Sequence, residues 1–209
     1  MKPKSYIRTL VLFVLVLFGI GILTGAYIVT TGVSAKPQPS RLESITTRVV
    51  RSIAIRTRVG SLINPVPASD AVITEGMEHF ADHCAVCHGN DGSGNTEMGR
   101  GLYPRAPDMR LPATQDLSDG ELFYIIENGV RLTGMPGWST GTKEGETSSW
   151  HLVHFIRHLP KLSEEEIARM ESLNPKSPEE VRQEIEAEKF LQGGDPTPPS
   201  TTHEHTGAH

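Results

Sequence analysis

The chain has 209 residues and a formal net charge of −5 at pH 7, with 37 % of its residues apolar and 6 % aromatic. That is lean for the length. Together with 15 prolines and 20 glycines it leaves room for one soluble core of about 100 residues, the rest being connector. The acidic balance gives no reason to expect nucleic acid as a partner.

From Thr9 to Val29 the sequence TLVLFVLVLFGIGILTGAYIV carries no charge, enough to cross a hydrocarbon core of roughly 30 Å as a helix. Lys2, Lys4 and Arg8 precede it, which predicts a cytoplasmic N-terminus and export of everything after Val29. A cleavable signal peptide ending near Val33-Ser34-Ala35 is the alternative. The apolar run is longer than the roughly 7 to 15 residues of a signal core, so residues 1–31 read as a retained anchor.

Residues 32–68 read as a basic, proline-containing linker, its ends kept extended by Pro37, Pro39, Pro65 and Pro67. Its middle, RLESITTRVVRSIAIRTRVG, sets Arg41, Arg48, Arg51, Arg56 and Arg58 against Glu43 alone. This is a patch for anionic lipid or a partner, or more plainly a solvated connector with a short helix.

Helical periodicity begins at Ser69, where Ile73, Met77, Phe80, Cys84 and Cys87 form one apolar face. Gly76 interrupts it at a cost of about 1 kcal/mol relative to alanine, which a close helix crossing would explain. Glycine-rich connectors and the turns at Pro104, Pro107 and Pro112 follow. Ser118 with Glu121 makes a capping box for a second helix carrying Leu122, Ile125 and Ile126, with Gly129 suited to its end. A third is expected from about Ser148 to Leu159, with the stripe Leu152, Phe155, Ile156 and Leu159 and a stop at Pro160. Ser163 with Glu166, and Ser177-Pro178 with Glu180, open two short charged helices over 164–192. The tail 193–209 is His- and Pro-rich and reads as disordered.

The chain's 2 cysteines fall in the single stretch HCAVCHGNDG, as Cys84 and Cys87, with His88 directly after. A thioredoxin-type dithiol needs a βαβ setting, and no strand pattern precedes Cys84. A structural zinc site needs four ligands, and no second cysteine pair exists. A disulfide between residues three apart closes too short a loop to stabilise much. Covalent haem needs just this set: two thiols one helical turn apart for the vinyl groups and an adjoining histidine for the iron. Such attachment agrees with export. Cys84 and Cys87 are therefore the expected thioether donors of one haem c, and His88 the proximal ligand.

Met77, Met98, Met109, Met135 and Met170 are eligible as distal ligand, as are several histidines. Met135 is best placed, in Gly134-Met135-Pro136-Gly137-Trp138, where glycine and proline fix an irregular turn. Met77 reads as core.

With CAVCH, Gly134-Met135-Pro136 and the flanking helices, residues 70–162 resemble class I monohaem cytochromes c of bacteria. The resemblance implies an all-α fold over 69–163, with N- and C-terminal helices crossing beside a buried haem. Gly76 and Phe80 match one side of that crossing, and Trp150 and Phe155 the other. Ala106-Pro107-Asp108-Met109 is similar to the family segment whose proline carbonyl accepts the N–H of the proximal histidine, so Pro107 would hold His88. The anchor, the basic linker and the residues after Leu162 lie outside the resemblance.

The function implied is one-electron transfer without an enzymatic step, at the outer face of a bacterial cytoplasmic membrane. Membrane or periplasmic redox proteins would be donor and acceptor, and the bilayer would be held through the N-terminal helix. His/Met ligation fills both axial positions and raises the potential relative to two histidines. Arg100, Tyr103, Arg105 and Trp138 are candidates to hold the propionates, Arg105 first because it adjoins Pro107. A haem sensor or peroxidase-like protein with a labile Met135 is the alternative. Histidine-held metal is a further one, from His151, His154 and His158 on one helix and His203, His205 and His209 in the tail, against a plainer reading as solvent-facing side chains.

Overall fold

The computed structural model describes residues 3–31, 34, 36–176 and 178–192. Val33, Ala35 and the whole tail, including His203, His205 and His209, lie outside the described residues. The described chain is helical, with no strand: α1 Pro3–Thr31, α2 Arg41–Val59, α3 Asp70–His79, α4 Ala85–His88, α5 Glu97–Gly101, α6 Pro112–Gln115, α7 Asp119–Asn128, α8 Lys143–His158, α9 Glu164–Leu173 and α10 Pro178–Leu191. Helix α1 contains a segment, Tyr6–Thr30, long and apolar enough to cross a membrane, none of it buried.

The core forms where α3 crosses α8 and α7 packs beside them. Ser69 caps α3 by accepting from the Val72 amide at 3.3 Å, and the apolar face predicted from Ile73 to Cys87 continues through a π-helical stretch, Phe80–Cys84, into α4. The crossing sits on Gly76. A Cβ there would lie 2.3 Å from the His151 carbonyl oxygen and 2.9 Å from Phe155 Cβ, so any side chain would push the two helices apart. Phe80 and Phe155 meet at 5.1 Å between ring centroids and are the centre of the contact. Trp150 serves a different neighbour, stacking on Phe123 at 4.0 Å and 10°.

Helix α7 carries the capping box read from its sequence, with both Ser118–Glu121 bonds formed. Helix α8 begins at Lys143, five residues before the expected Ser148. The sequence stripe marked only the buried half; the first turn is polar, capped by Thr142 accepting from Gly145, with Glu144 and Glu146 suited to the positive helix end. Arg157 on α8 bonds Asp119 Oδ1 (2.8 Å) and the Gln115 and Leu117 carbonyls, and Gln115 bonds the Met109 and Ile156 carbonyls (2.7 and 2.9 Å). These bonds hold the 109–119 segment against α8.

Two segments expected to be peripheral are packed. The basic stretch folds as a 19-residue helix whose buried Ile55 and Val59 rest on α7. Helix α9, expected as part of a charged extension, buries Met170 in the core and ties back through His158–Glu166 (2.8 Å) and Arg169–Glu78 (2.6 Å). Its capping box, Ser163 with Glu166, is formed. Helix α10 is exposed along its described length.

Candidate functional site

Because α3, the π-helical stretch and α4 run as one rod, Cys84 and Cys87 stand one turn apart and His88 follows at its end. Both thiols are unpaired. Burial, and then the neighbouring Cys87, push the Cys84 thiol up to about 12, and burial pushes Cys87 up as well. A redox-active dithiol depends on a thiol of lowered pKa; this pair is shifted the other way. It keeps two neutral, unpaired sulfurs side by side.

The His88 Nδ1 is sealed from solvent and meets no partner of hydrogen-bond geometry. Burial pushes the imidazole down, and the acceptor pulling it back up is the Pro107 backbone carbonyl, close enough to act though short of a formed bond. The chain is laced to bring that carbonyl there. Gly94 N donates to His88 O (2.7 Å), Ala106 N to Gly99 O (3.0 Å) and Met109 N to Gly92 O (2.8 Å), so the segment carrying Pro107 lies over the loop that leaves His88.

Met135 sits in a turn built from the end of α7. Val130 N donates to Met135 O (3.1 Å), while Thr133 Oγ1 accepts from Met135 N (3.1 Å) and donates to Val130 O (2.7 Å). Gly129 has φ +67°, and a Cβ on it would fall 2.5 Å from Pro136 C and 2.6 Å from Met135 O. Glycine is needed there both for the backbone angle and for the close approach. Past the methionine, Trp138 N donates to Ile126 O (2.9 Å). Thr133 was not among the sequence candidates; its position two residues before the methionine, where a hydroxyl can close a local turn, was the available signal.

Burial separates the methionines. Met77, Met109 and Met170 are core residues, Met98 is exposed on α5, and Met135 is half-buried. Arg105 is exposed and makes no hydrogen bond or ion pair among the described residues. The other propionate candidates have partners: Arg100 bonds Asn95 (2.9 Å), Tyr103 bonds Glu43 (2.5 Å) and Trp138 packs edge-on against His83 at 5.4 Å.

The three α8 histidines are neither solvent-facing nor gathered. His151 pairs with Glu75 (2.9 Å), His154 bonds the Val66 carbonyl (2.8 Å) and His158 pairs with Glu166. Each secures a different neighbour of α8, and no cluster of three metal-ligating side chains occurs among the described residues.

Residues 71–156, less than half of the chain, match the family described as cytochrome c oxidase, cbb3-type, subunit III. The central region is a cytochrome c domain. Curated relatives of this cytochrome include the Cbb3-type cytochrome c oxidase subunit FixP of Rhizobium meliloti (strain 1021), 31 % identical over 98 residues, which is 46 % of this chain and 31 % of the relative. The FixP of Sinorhizobium medicae (strain WSM419) is 34 % identical over 77 residues, 36 % of this chain and 24 % of its own. The FixPc subunit of Rhizobium leguminosarum bv. viciae is 32 % identical over 94 residues, 44 % and 30 % of the two chains. The chain thus matches less than a third of the length of each of these relatives. As a cytochrome c, the domain binds haem and transfers electrons, and the apolar α1 fits attachment to a membrane. The cytochrome's own residues fit a covalent haem: two neutral thiols a turn apart beside an imidazole with no ionic partner.

Proposed function

We propose that the chain is a one-electron carrier holding a single haem c, bound through Cys84 and Cys87 and ligated by His88 and Met135. When bound, the haem supplies the one-electron iron couple. The protein's part is positional. Pro107 would hold His88 in orientation through its carbonyl and raise its basicity as a ligand. The turn closed by Thr133 and Gly129 presents Met135 without helical constraint. Arg105, with no partner to give up, is the donor best free to meet a propionate. Phe80 and Phe155 keep water from one side of the site, which favours the less charged ferrous state.

The observation that carries this reading is the geometry of one turn, with two unpaired neutral thiols followed by a half-buried imidazole. Membrane attachment by α1, with the domain on the periplasmic side, follows from the charge bias of Lys2, Lys4 and Arg8. The relatives' membership of cbb3-type oxidases supports membrane redox proteins as donor and acceptor, with this chain as a carrier or as the haem subunit of such a complex.

The test is covalency. Haem should remain on the full chain after denaturation in detergent and acid-acetone extraction, and replacing both Cys84 and Cys87 by serine should release it completely. Haem extracted from the denatured wild-type chain would overturn the assignment.

A further inference from the structure

Helix α2 carries two different surfaces along its length. Its last turns are docked. Val59 and Leu62 approach α7 so closely that a Cβ on Gly120 would lie 2.6 Å from Val59 Cγ1 and 2.7 Å from the Leu62 carbonyl oxygen, and Arg56 Nε pairs with the buried Glu121 at 3.0 Å. The first turns make one side-chain bond to the domain, from Tyr103 to Glu43 at 2.5 Å, and leave their apolar side open. Leu42, Ile45, Val49 and Ile53 recur at i, i+3, i+7 and i+11, one stripe of a helix, and are 75 %, 62 %, 52 % and 60 % exposed. No described segment covers them.

Charge and tether say what does. Arg41, Arg48, Arg51 and Arg58 make no ion pair among the described residues, while Glu43, the helix's one acidic residue, is engaged by Tyr103. At helical spacing Arg41 and Arg48 flank the stripe, whereas Arg51 and Arg58 fall on the far side of the helix. The candidate membrane span ends at Thr30, and the ten residues from Thr31 to Ser40 reach at most about 35 Å. An apolar stripe with arginines beside it, tethered this close to a span, matches an interfacial helix, its apolar face at the acyl boundary and its cations among acidic headgroups.

We propose that the first three turns of α2 lie in the headgroup layer of an anionic bilayer, stripe inward, holding the cytochrome domain clamped to the last turns close to the membrane surface. This rests on the reading of α1 as a membrane span.

The experiment uses the full-length holoprotein in bilayer discs, with a nitroxide on a single introduced cysteine and accessibility measured to oxygen and to a water-soluble nickel complex. Ile45→Cys reports the stripe, Thr47→Cys the opposite side and Leu15→Cys the middle of α1. Wild-type holoprotein should take up no label, and an unchanged haem spectrum checks the fold of each variant. With phosphatidylglycerol present, the Ile45 label should show a several-fold loss of nickel accessibility relative to Thr47. That loss should shrink in pure phosphatidylcholine and in an Arg41→Gln, Arg48→Gln variant.

Equal nickel accessibility at Ile45 and Thr47, with Leu15 deep in the bilayer, would overturn the inference and leave the anchor standing. A water-exposed Leu15 label would remove both. Spin–spin broadening at Ile45 that vanishes on dilution with unlabelled protein would assign the stripe to a second copy instead. Nickel protection that ignores lipid charge would overturn the role given to the arginines.

Discussion

Gly76 lies at the crossing of α3 and α8, and Thr133 accepts from the backbone of Met135, the proposed distal ligand. At Gly76 the opposing atoms are the His151 backbone and Phe155 Cβ, which cannot rotate away. Gly76→Ala should therefore destabilise the holoprotein by about 1–3 kcal/mol through overpacking, although alanine is the better helix former by about 1 kcal/mol. Denaturant unfolding followed by far-ultraviolet dichroism measures it, and a stabilised variant would show that the crossing is looser than 2.3 Å implies. Thr133→Val keeps the shape and removes both side-chain bonds of the methionine turn, each worth about 1 kcal/mol. The weak far-red band of sulfur-ligated ferric haem should then disappear at lower denaturant than global unfolding. Its loss together with the fold, as in the wild type, would mean that the turn is held by other contacts.

At the scale of elements, the two capping boxes give the fold an acid-sensitive component. Burial alone would raise the Glu121 carboxyl, but the bonds from Ser118 and Arg56 outweigh it and hold the group below its ordinary value of 4.5. Glu166 is held low in the same way, with Ser163 and His158 as donors outweighing burial. A carboxylate whose folded pKa is depressed contributes stability that is fully present above its unfolded pKa and is lost as pH falls through the folded one. Stability should therefore fall as pH drops below about 4.5, and the Glu121→Gln, Glu166→Gln double variant should flatten that slope while lowering stability at neutral pH. An unchanged slope in denaturant titrations across that range would assign the acid sensitivity elsewhere. Ser118 with Glu121 and Ser163 with Glu166 were also the elements most legible in the sequence, because a capping box is a local device written in four residues. The start of α8 was not legible, since its polar first turn has no stripe to mark it. The docking of α2 was not legible either: it depends on Ile55, Val59 and Arg56 finding Gly120 and Glu121 across the chain, and local periodicity cannot report a partner.

For the molecule as a whole, the cysteine pair and histidine suggest covalent haem within a single turn of sequence, and the fold adds the surroundings that spacing cannot report. Three of the methionines are drawn into the core, one is left on the surface, and Met135 is tied into a turn stiffened by Thr133 and a glycine that admits no side chain. The histidines of α8 went the other way: a spacing suited to a metal resolves into three separate contacts with Glu75, Val66 and Glu166. The proposed carrier function depends on both faces of the haem iron being filled. The most direct measurement is the spectrum, carbon monoxide reactivity and potential of Met135→Ala holoprotein against wild type. Loss of the far-red ferric band, carbon monoxide binding by the ferrous variant alone and a lowered potential are the results expected; a variant unchanged in all three would contradict the account.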